Sequence, residues 1–539
     1  MSEPIRELDP QTAPQDEPSR LAEARPTSAE PAVDFPPHDS HNLRLLSNVH
    51  PGGYTNPEPA GRYHLVVVGA GTAGLVSAAG AAGLGARVAL VERHMMGGDC
   101  LNVGCVPSKG VIRPARAWHE AKTGAERFAG PPVSGEGNFA AAMERMRRLR
   151  AQLSKVDSVQ RFRDELGIDV FLGQGRFTGK DTLEVDGKVL EFRRAVIATG
   201  ARAAAPPIPG LDGVDYLTNE TIFSLTELPE RFAIIGAGPI GCEMAQSFAR
   251  YGSHVGLFDM ASHVLVREDE DAACVVQDQM VRDGVELIMD AKIRRIESRE
   301  GRKVVVYEKD GETREWAGDR LLVAVGRAPN VDGLGLDEAG VTFDKGKGVE
   351  VNDYLQTSNP RIYAAGDISS QHKFTHIADA EARVVIQNAL FSIGPIGKKR
   401  GDDLLVPWCT YTSPEVAHVG MYEQDARDQG TEVHTITMPL DDVDRAVLDG
   451  ESEGFARIHL EKGKDRILGA TIVAEHAGDM ISEVTVAIQN GLGLSSLADV
   501  IHPYPTQAEA IKKAADAYNR TKLTPKVKKI FGWWFKLTG

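Results

Sequence analysis

Cysteine is scarce in this chain, with 5 in 539 residues. That excludes a scaffold built on disulfides, which small secreted domains need and which is far denser in cysteine. Positive charge is short as well: 61 Lys and Arg stand against 76 Asp and Glu, for a formal net charge of −15. No basic face dominates, which excludes a nucleic-acid partner. The uncharged run from Leu65 to Ala86 is long enough to suggest a membrane span. Its glycines, and its change from valines to small residues, read instead as a buried strand, a turn and a helix. Met1 to Pro59 has no charged-then-apolar leader, so a secretory signal is excluded, and its acidity disfavours a mitochondrial transit peptide. Rich in Pro, Glu, Asp and Ser and lacking periodicity, residues 1–61 read as a disordered arm. The expected location is the cytoplasm. What remains is 42% apolar and 25% charged, an ordinary globular balance, and too long for a single core.

Within that chain one unit occurs twice. His64 to Arg93 reads as a valine-rich strand, then Gly69-Ala-Gly71-Thr-Ala-Gly74, a helix of small residues and a second strand ending in Glu92. Phe232 to Met260 repeats the order with Gly236-Ala-Gly238-Pro-Ile-Gly241 and a strand ending in Asp259. In both copies the acid follows the first glycine by 23 positions. The first glycine permits a tight turn, the second lets backbone amides approach a pyrophosphate, and the third lets helix pack on strand. The phosphates then face a helix N-terminus, and the acid accepts hydrogen bonds from ribose hydroxyls. Two such units imply two dinucleotides.

Just after the first unit comes Gly97-Gly98-Asp99-Cys100-Leu101-Asn102-Val103-Gly104-Cys105-Val106-Pro107-Ser108-Lys109, with two cysteines five positions apart. A thiol pair beside a flavin can pass two electrons from nicotinamide to an acceptor. With the two fingerprints, this segment resembles the redox signature of the flavin-dependent pyridine nucleotide–disulfide oxidoreductases. The resemblance runs from about Arg62 to Ala517. It implies an α/β fold with two Rossmann-like dinucleotide-binding domains, for FAD and NAD, plus a C-terminal α+β dimerisation domain. The expected division is a FAD-binding domain at 62–208, an NAD(P)-binding domain at 209–328, a second FAD-binding or central part at 329–402, a dimerisation domain at 403–518 and an amphipathic tail at 519–539.

By the same resemblance Cys105 is the thiol next to the flavin and Cys100 the one that meets substrate, the two forming a redox-active disulfide. Lys109 and Glu243 match a family pair beside flavin and nicotinamide, although a helix salt bridge would use the same residues. Asp367, in Arg361-Ile-Tyr-Ala-Ala-Gly366-Asp367, would hold the flavin's ribityl chain; alone it reads equally as a helix N-cap. Thr199-Gly200 and Gly326 end apolar strands where the family's chain leaves and re-enters the flavin domain. Tyr411 to Gly420 and His502 to Glu509 resemble the interface domain, which implies a homodimer whose His502–Glu509 segment reaches the partner's active site. Cys242, Cys274 and Cys409 read as structural. No cysteine has metal-ligand spacing to another, and no metal is expected.

Two departures refine the reading. Many family members carry a catalytic histidine five residues before the glutamate that Glu509 matches, and here that place holds Tyr504. A phenol, with a reference pKa of about 10 against about 6.5 for imidazole, is a poor base at neutral pH. His502, two residues earlier and roughly 7 Å along an extended chain, is the alternative base or a structural imidazole. The tyrosine points to the mercuric reductase branch, whereas the paired C-terminal cysteines of that branch and a Cys-x-x-Cys module near the N-terminus are not found. Asp259, followed by Met260 rather than arginine, favours NADH over NADPH. The expected function is electron transfer from NAD(P)H through FAD and the Cys100–Cys105 disulfide to a small acceptor: Hg(II), a disulfide or a quinone. The alternatives are a dihydrolipoamide dehydrogenase-type enzyme using His502, and a flavin-bearing redox sensor or scaffold. In the tail, Leu523, Val527, Ile530, Phe531, Trp534 and Phe535 recur at helical spacing, interrupted by Gly532, with Lys528, Lys529 and Lys536 mostly in other directions. That stripe either docks on the enzyme's own dimer or makes a weak membrane contact.

Overall fold

The computed structural model describes residues 33–135, 137–394 and 396–539. The first sheet has a parallel heart of Asp169–Leu172, Val88–Glu92, Tyr63–Val68 and Lys188–Ile197, with Ile362–Ala364 adding alongside the last. Leu65, Val66, Val67 and Val68 are all buried, the continuous apolar run of a strand covered on both faces. The span-like segment therefore resolves into this strand and the helix Thr72–Gly83. No helix among the described residues is long and apolar enough to cross a membrane. Small residues on Thr72–Gly83 let it lie close against Thr375–Ile386: a Cβ on Gly80 would sit 2.6 Å from Ile386 Cδ1.

The second unit builds its own parallel sheet in the order Glu286–Ile288, His254–Phe258, Arg231–Ile235, Arg320–Val323. A three-stranded antiparallel meander, Lys292–Gly318, packs on it through Trp316 and Val305. Ala201–Ala203 and Arg327–Pro329 pair antiparallel where the chain departs and returns, so both crossings lie side by side. The third unit is a five-stranded antiparallel sheet between Pro407 and Ala474. The helices Ala477–Gln489 and Glu509–Thr521 share its core.

Two sequence expectations need correction. The arm read as disordered through residue 61 carries a helix over Ser40–Val49, while residues 1–32 lie outside the described residues. Asp39 caps that helix by accepting from Asn42 N at 2.8 Å, and Leu45, Leu46 and Val49 are buried in the first domain's core. Its partners are remote in sequence. The buried Arg150 donates to Asn42 Oδ1 (2.8 Å) and to the carbonyl of Asn102 (2.7 Å), inside the cysteine segment. Farther on, Asn56 exchanges two hydrogen bonds with Leu172, of 2.7 and 2.9 Å, so a side-chain amide closes the sheet edge as a strand would. The second correction concerns the tail. Its helix runs unbroken over Pro525–Thr538, through Gly532, and none of its residues is buried among the described residues.

The buried helix makes a measurable difference. Leu45→Ala, at a position with 0% exposure, is expected to lower unfolding free energy by about 2–5 kcal/mol in chemical denaturation. A disordered arm would give no change.

Candidate active site

The site starts with two identical turns. Gly69 has φ of 102° and Gly236 of 105°, in the left-handed region that glycine adopts without strain. A Cβ on Gly74 would lie 1.8 Å from Gly69 O, and one on Gly241 1.8 Å from Gly236 O, so helix and strand approach too closely for any side chain. The middle glycines differ: nothing lies nearer than 3.7 Å to a Cβ on Gly71, and nothing within 4 Å of one on Gly238. Each middle glycine therefore opens space at the start of a helix, where a pyrophosphate fits.

The terminal acids brace these turns. Glu92 accepts from Ala70 N and His94 N, both at 2.7 Å. Asp259 accepts from Ala237 N at 2.6 Å and Ala261 N at 2.9 Å. A carboxylate has about four acceptor positions, so both keep lone pairs for ribose hydroxyls. The sequence reading assigned only the ribose role. Thr199 and Asn330 exchange hydrogen bonds of 3.0 and 2.9 Å, and Asn330 N donates to Gly200 O at 3.0 Å. These bonds tie the two inter-domain crossings together beside Gly326.

The cysteine segment is seated on the first turn. Gly97 N donates to Ala70 O at 2.8 Å, and a Cβ on Gly98 would be 2.6 Å from Gly71 Cα. Cys100 lies in the short helix Gly98–Asn102 and Cys105 opens the helix Cys105–Phe128. Both are free thiols, Cys100 half-buried and Cys105 exposed. Thr375 Oγ1 lies 3.3 Å from Cys105 Sγ, and the two thiols perturb each other's ionisation. The Cys100 thiol, with help from Thr375 and from the charge of Lys109, brings Cys105 down to about 6 against the burial that opposes ionisation. The same interaction with Cys105, with burial, pushes Cys100 far up. One sulfur holds the negative charge and the other keeps the proton.

Lys109 reaches across domains. Its Nζ is 3.0 Å from Glu243 Oε2, on the helix Pro239–Tyr251 of the second unit, and 4.2 Å from the Tyr411 ring centre. Glu243 also accepts from Tyr411 N at 3.0 Å, so the pair joins all three units rather than stapling one helix. Asp367 is not an N-cap, since the next helix is capped by Phe374. It faces Arg327 Nε at 3.2 Å, and Arg327 also grips Asp99. Sequence reasoning missed Arg327, Asp99 and Thr375, although all three lie in stretches it had marked.

The interface residues are apart from this cluster within one chain. His502 Nε2 lies 2.9 Å from Glu483, and Tyr504 donates to Asp444 at 2.8 Å, so the two do not share partners. That carboxylate acceptor raises the Tyr504 phenol above its ordinary range. Glu509 begins the helix Glu509–Thr521 with one carboxylate oxygen buried and without a partner in this protomer.

Residues 63–382 match the family model "pyridine nucleotide-disulphide oxidoreductase" and residues 406–515 its dimerisation domain. The chain belongs to this family. It is 35% identical over 494 residues to a mercuric reductase of Lysinibacillus sphaericus, covering 92% of this chain and 89% of the relative. A dihydrolipoyl dehydrogenase of Bacillus subtilis (strain 168) is 32% identical over 472 residues, 85% and 98% of the two chains. Among solved structures, the HOCl-induced flavoprotein disulfide reductase RclA from Escherichia coli superposes with a TM-score of 0.75 at 30% identity, covering 84% of this chain and 99% of that one. The protein is thus an FAD- and NAD(P)-dependent disulfide oxidoreductase of mercuric reductase-like type, and its dimerisation domain supports a homodimer.

The thiolate argument carries a pH test. In reduced protein, the ultraviolet thiolate absorbance missing from Cys105→Ser should be full at neutral pH and fall away as pH drops through about 6. Lys109→Met should raise that midpoint by roughly one unit and Glu243→Gln should lower it. Equal shifts in one direction would contradict the geometry.

Proposed function

We propose that this enzyme uses NADH to reduce a thiophilic metal ion of the Hg(II) type, with Cys105 as the flavin-side thiol and Cys100 as the exchange thiol. The observation that carries the acceptor class is Tyr504, a neutral phenol held on Asp444. Exchange with a dithiol needs a base near neutral pH to take up or return its proton, and a phenol with a raised pKa is unsuited to that. His502, the other candidate, has a buried side chain with both ring nitrogens facing acceptors, Glu483 at 2.9 Å and the Val500 carbonyl at 3.1 Å, which leaves no lone pair free to take a substrate proton. A soft metal ion binds thiolates directly and needs no such base. The mercuric reductases among the relatives support this reading, as does a Cu(II) complex of RclA among the solved structures.

FAD, which Gly69, Gly71, Glu92 and Asp367 would hold, would supply the two-electron relay between NADH and the disulfide. The protein's own residues manage the charge. Cys100 keeps its proton while Cys105 ionises, which Thr375 and Lys109 also favour. Glu243 fixes the Lys109 ammonium beside the thiolate. The overall balance is NADH plus Hg(II) giving NAD⁺, Hg(0) and one proton. Asp259, rigid on two backbone amides, repels a 2′-phosphate, and the next residue is Met260, with no guanidinium to bind one. A reducing cytoplasm suits a thiol pair that must cycle. The exposed C-terminal helix supports a second contact, with a membrane surface.

Purified holoenzyme should oxidise NADH steadily with Hg(II) and slowly with lipoamide or glutathione disulfide, and Tyr504→His should raise dithiol turnover by about tenfold or more. Rapid native turnover with dihydrolipoamide would overturn the metal-ion reading in favour of a His502 base. For the donor, kcat/KM should favour NADH, and Asp259→Ala with Met260→Arg should shift the ratio toward NADPH by at least tenfold, about 1.4 kcal/mol. A wild-type preference for NADPH would refute that assignment.

A further inference from the structure

The helix Pro525–Thr538 has features that its surroundings do not explain. None of its residues is buried, yet Ile530, Phe531, Trp533, Trp534, Phe535 and Leu537 are large apolar side chains between 49% and 68% exposed. An ordinary surface helix buries such residues on a core. The side chains are also sorted. Lys528, Gly532 and Lys536 follow one another at four-residue spacing with Lys529 beside them, giving a narrow polar ridge, while Lys526 in the first turn lies in the direction of Trp533 and Leu537. Val527, Ile530, Trp534 and Leu537 line the opposite side, flanked by Phe531, Phe535 and Trp533.

Charge narrows the choice of occupant. From Lys522 to Gly539 there are five lysines and no acid, in a chain whose formal net charge is −15. Five like charges gathered on one short, exposed segment of an acidic protein are complementary to an anionic surface. Fourteen residues reach about 21 Å as a helix, short of the roughly 30 Å hydrocarbon thickness, so the helix cannot span a bilayer. Tryptophans beside lysines on a helix of this length match an element lying in the headgroup plane, with rings at the interface and ammonium groups reaching out to phosphates.

We infer that this helix docks the enzyme on anionic phospholipid membranes, lying in the plane of the bilayer. The inference rests on the reading that the tail touches a membrane and stands whichever acceptor the active site uses. The homodimer carries two such helices, and simultaneous engagement of both would strengthen a weak single contact by avidity. The tail follows directly on the helix Glu509–Thr521 of the dimerisation unit, so docking leaves the three folded units intact.

The test uses full-length holoenzyme, a chain ending at Leu523, and a variant with Lys526→Gln, Lys528→Gln, Lys529→Gln and Lys536→Gln. Each is sedimented with phosphatidylglycerol-containing vesicles and with pure phosphatidylcholine vesicles at low and high salt. Full-length protein should sediment with the anionic vesicles at low salt, with its tryptophan emission shifted to the blue. The lysine variant should partition about a thousandfold more weakly, and the shortened chain should not sediment. The shortened chain should keep its melting temperature, its dimeric state and its NADH turnover with soluble acceptors. Failure of full-length protein to sediment at low salt would overturn the inference. So would a shortened chain that melts earlier or splits into monomers, because the apolar face would then belong to the protein itself. Equal binding to phosphatidylcholine, unaffected by the lysine changes, would overturn the anionic specificity. None of these outcomes depends on Hg(II) turnover, so failure here and failure of the acceptor assignment are told apart.

Discussion

The mutual influence of the Cys100 and Cys105 thiols on each other's ionisation, backed by Lys109, is the interaction around which the candidate site is organised. A thiolate is the form that exchanges and binds soft ions, and an ordinary cysteine is mostly protonated at neutral pH. Here the two thiols drive each other's ionisation apart, and the proton falls to one of them. Cys100 keeps it, Cys105 carries the charge, and the position of Cys105 at the start of a helix adds a favourable dipole. Glu243 opposes that charge in part, yet it is also what fixes the ammonium in place. Tyr411, over the ammonium and on the same carboxylate, couples this balance to the third unit.

Positioning the two sulfurs falls to backbone contacts too close to admit side chains. The cysteine segment leans on the first glycine turn at Gly98 and Gly71, so that turn and the thiols are built from one continuous surface. From the other side, Arg150 holds the Asn102 carbonyl and is itself held by Asn42 of the N-terminal helix. That helix precedes the part of the chain matched by the family model, which begins at residue 63. Its contact with the redox segment gives a physical reason for its burial. Arg327, between Asp99 and Asp367, ties the return crossing to the same segment.

Much of the fold was legible because its determinants are local. Gly69, Gly74, Gly236 and Gly241 are dictated by sterics within a few residues, and the valine run and the cysteine spacing are read directly. The Lys109–Glu243 pair was named from sequence motifs, and the structure joins its members at 3.0 Å. What escaped depends on distant partners. The helix Ser40–Val49 has a short apolar stripe in a Pro-rich context, and its burial is decided by Arg147 and Arg150 more than a hundred positions away. The direction of Tyr504 is set by Asp444, 60 residues earlier, and nothing in the local sequence signals it. The buried, unpartnered oxygen of Glu509 lies in a segment whose full surroundings include a second chain.

The central claim is that electrons from the nicotinamide come to rest on Cys100 and Cys105, and counting thiols tests it most directly. Anaerobic holoenzyme is titrated with NADH and its thiols are counted with a disulfide reagent before and after. Two new thiols per protomer should appear in the native enzyme, and none in Cys100→Ser or Cys105→Ser. Full bleaching of the flavin by NADH with no gain in thiols would contradict the account.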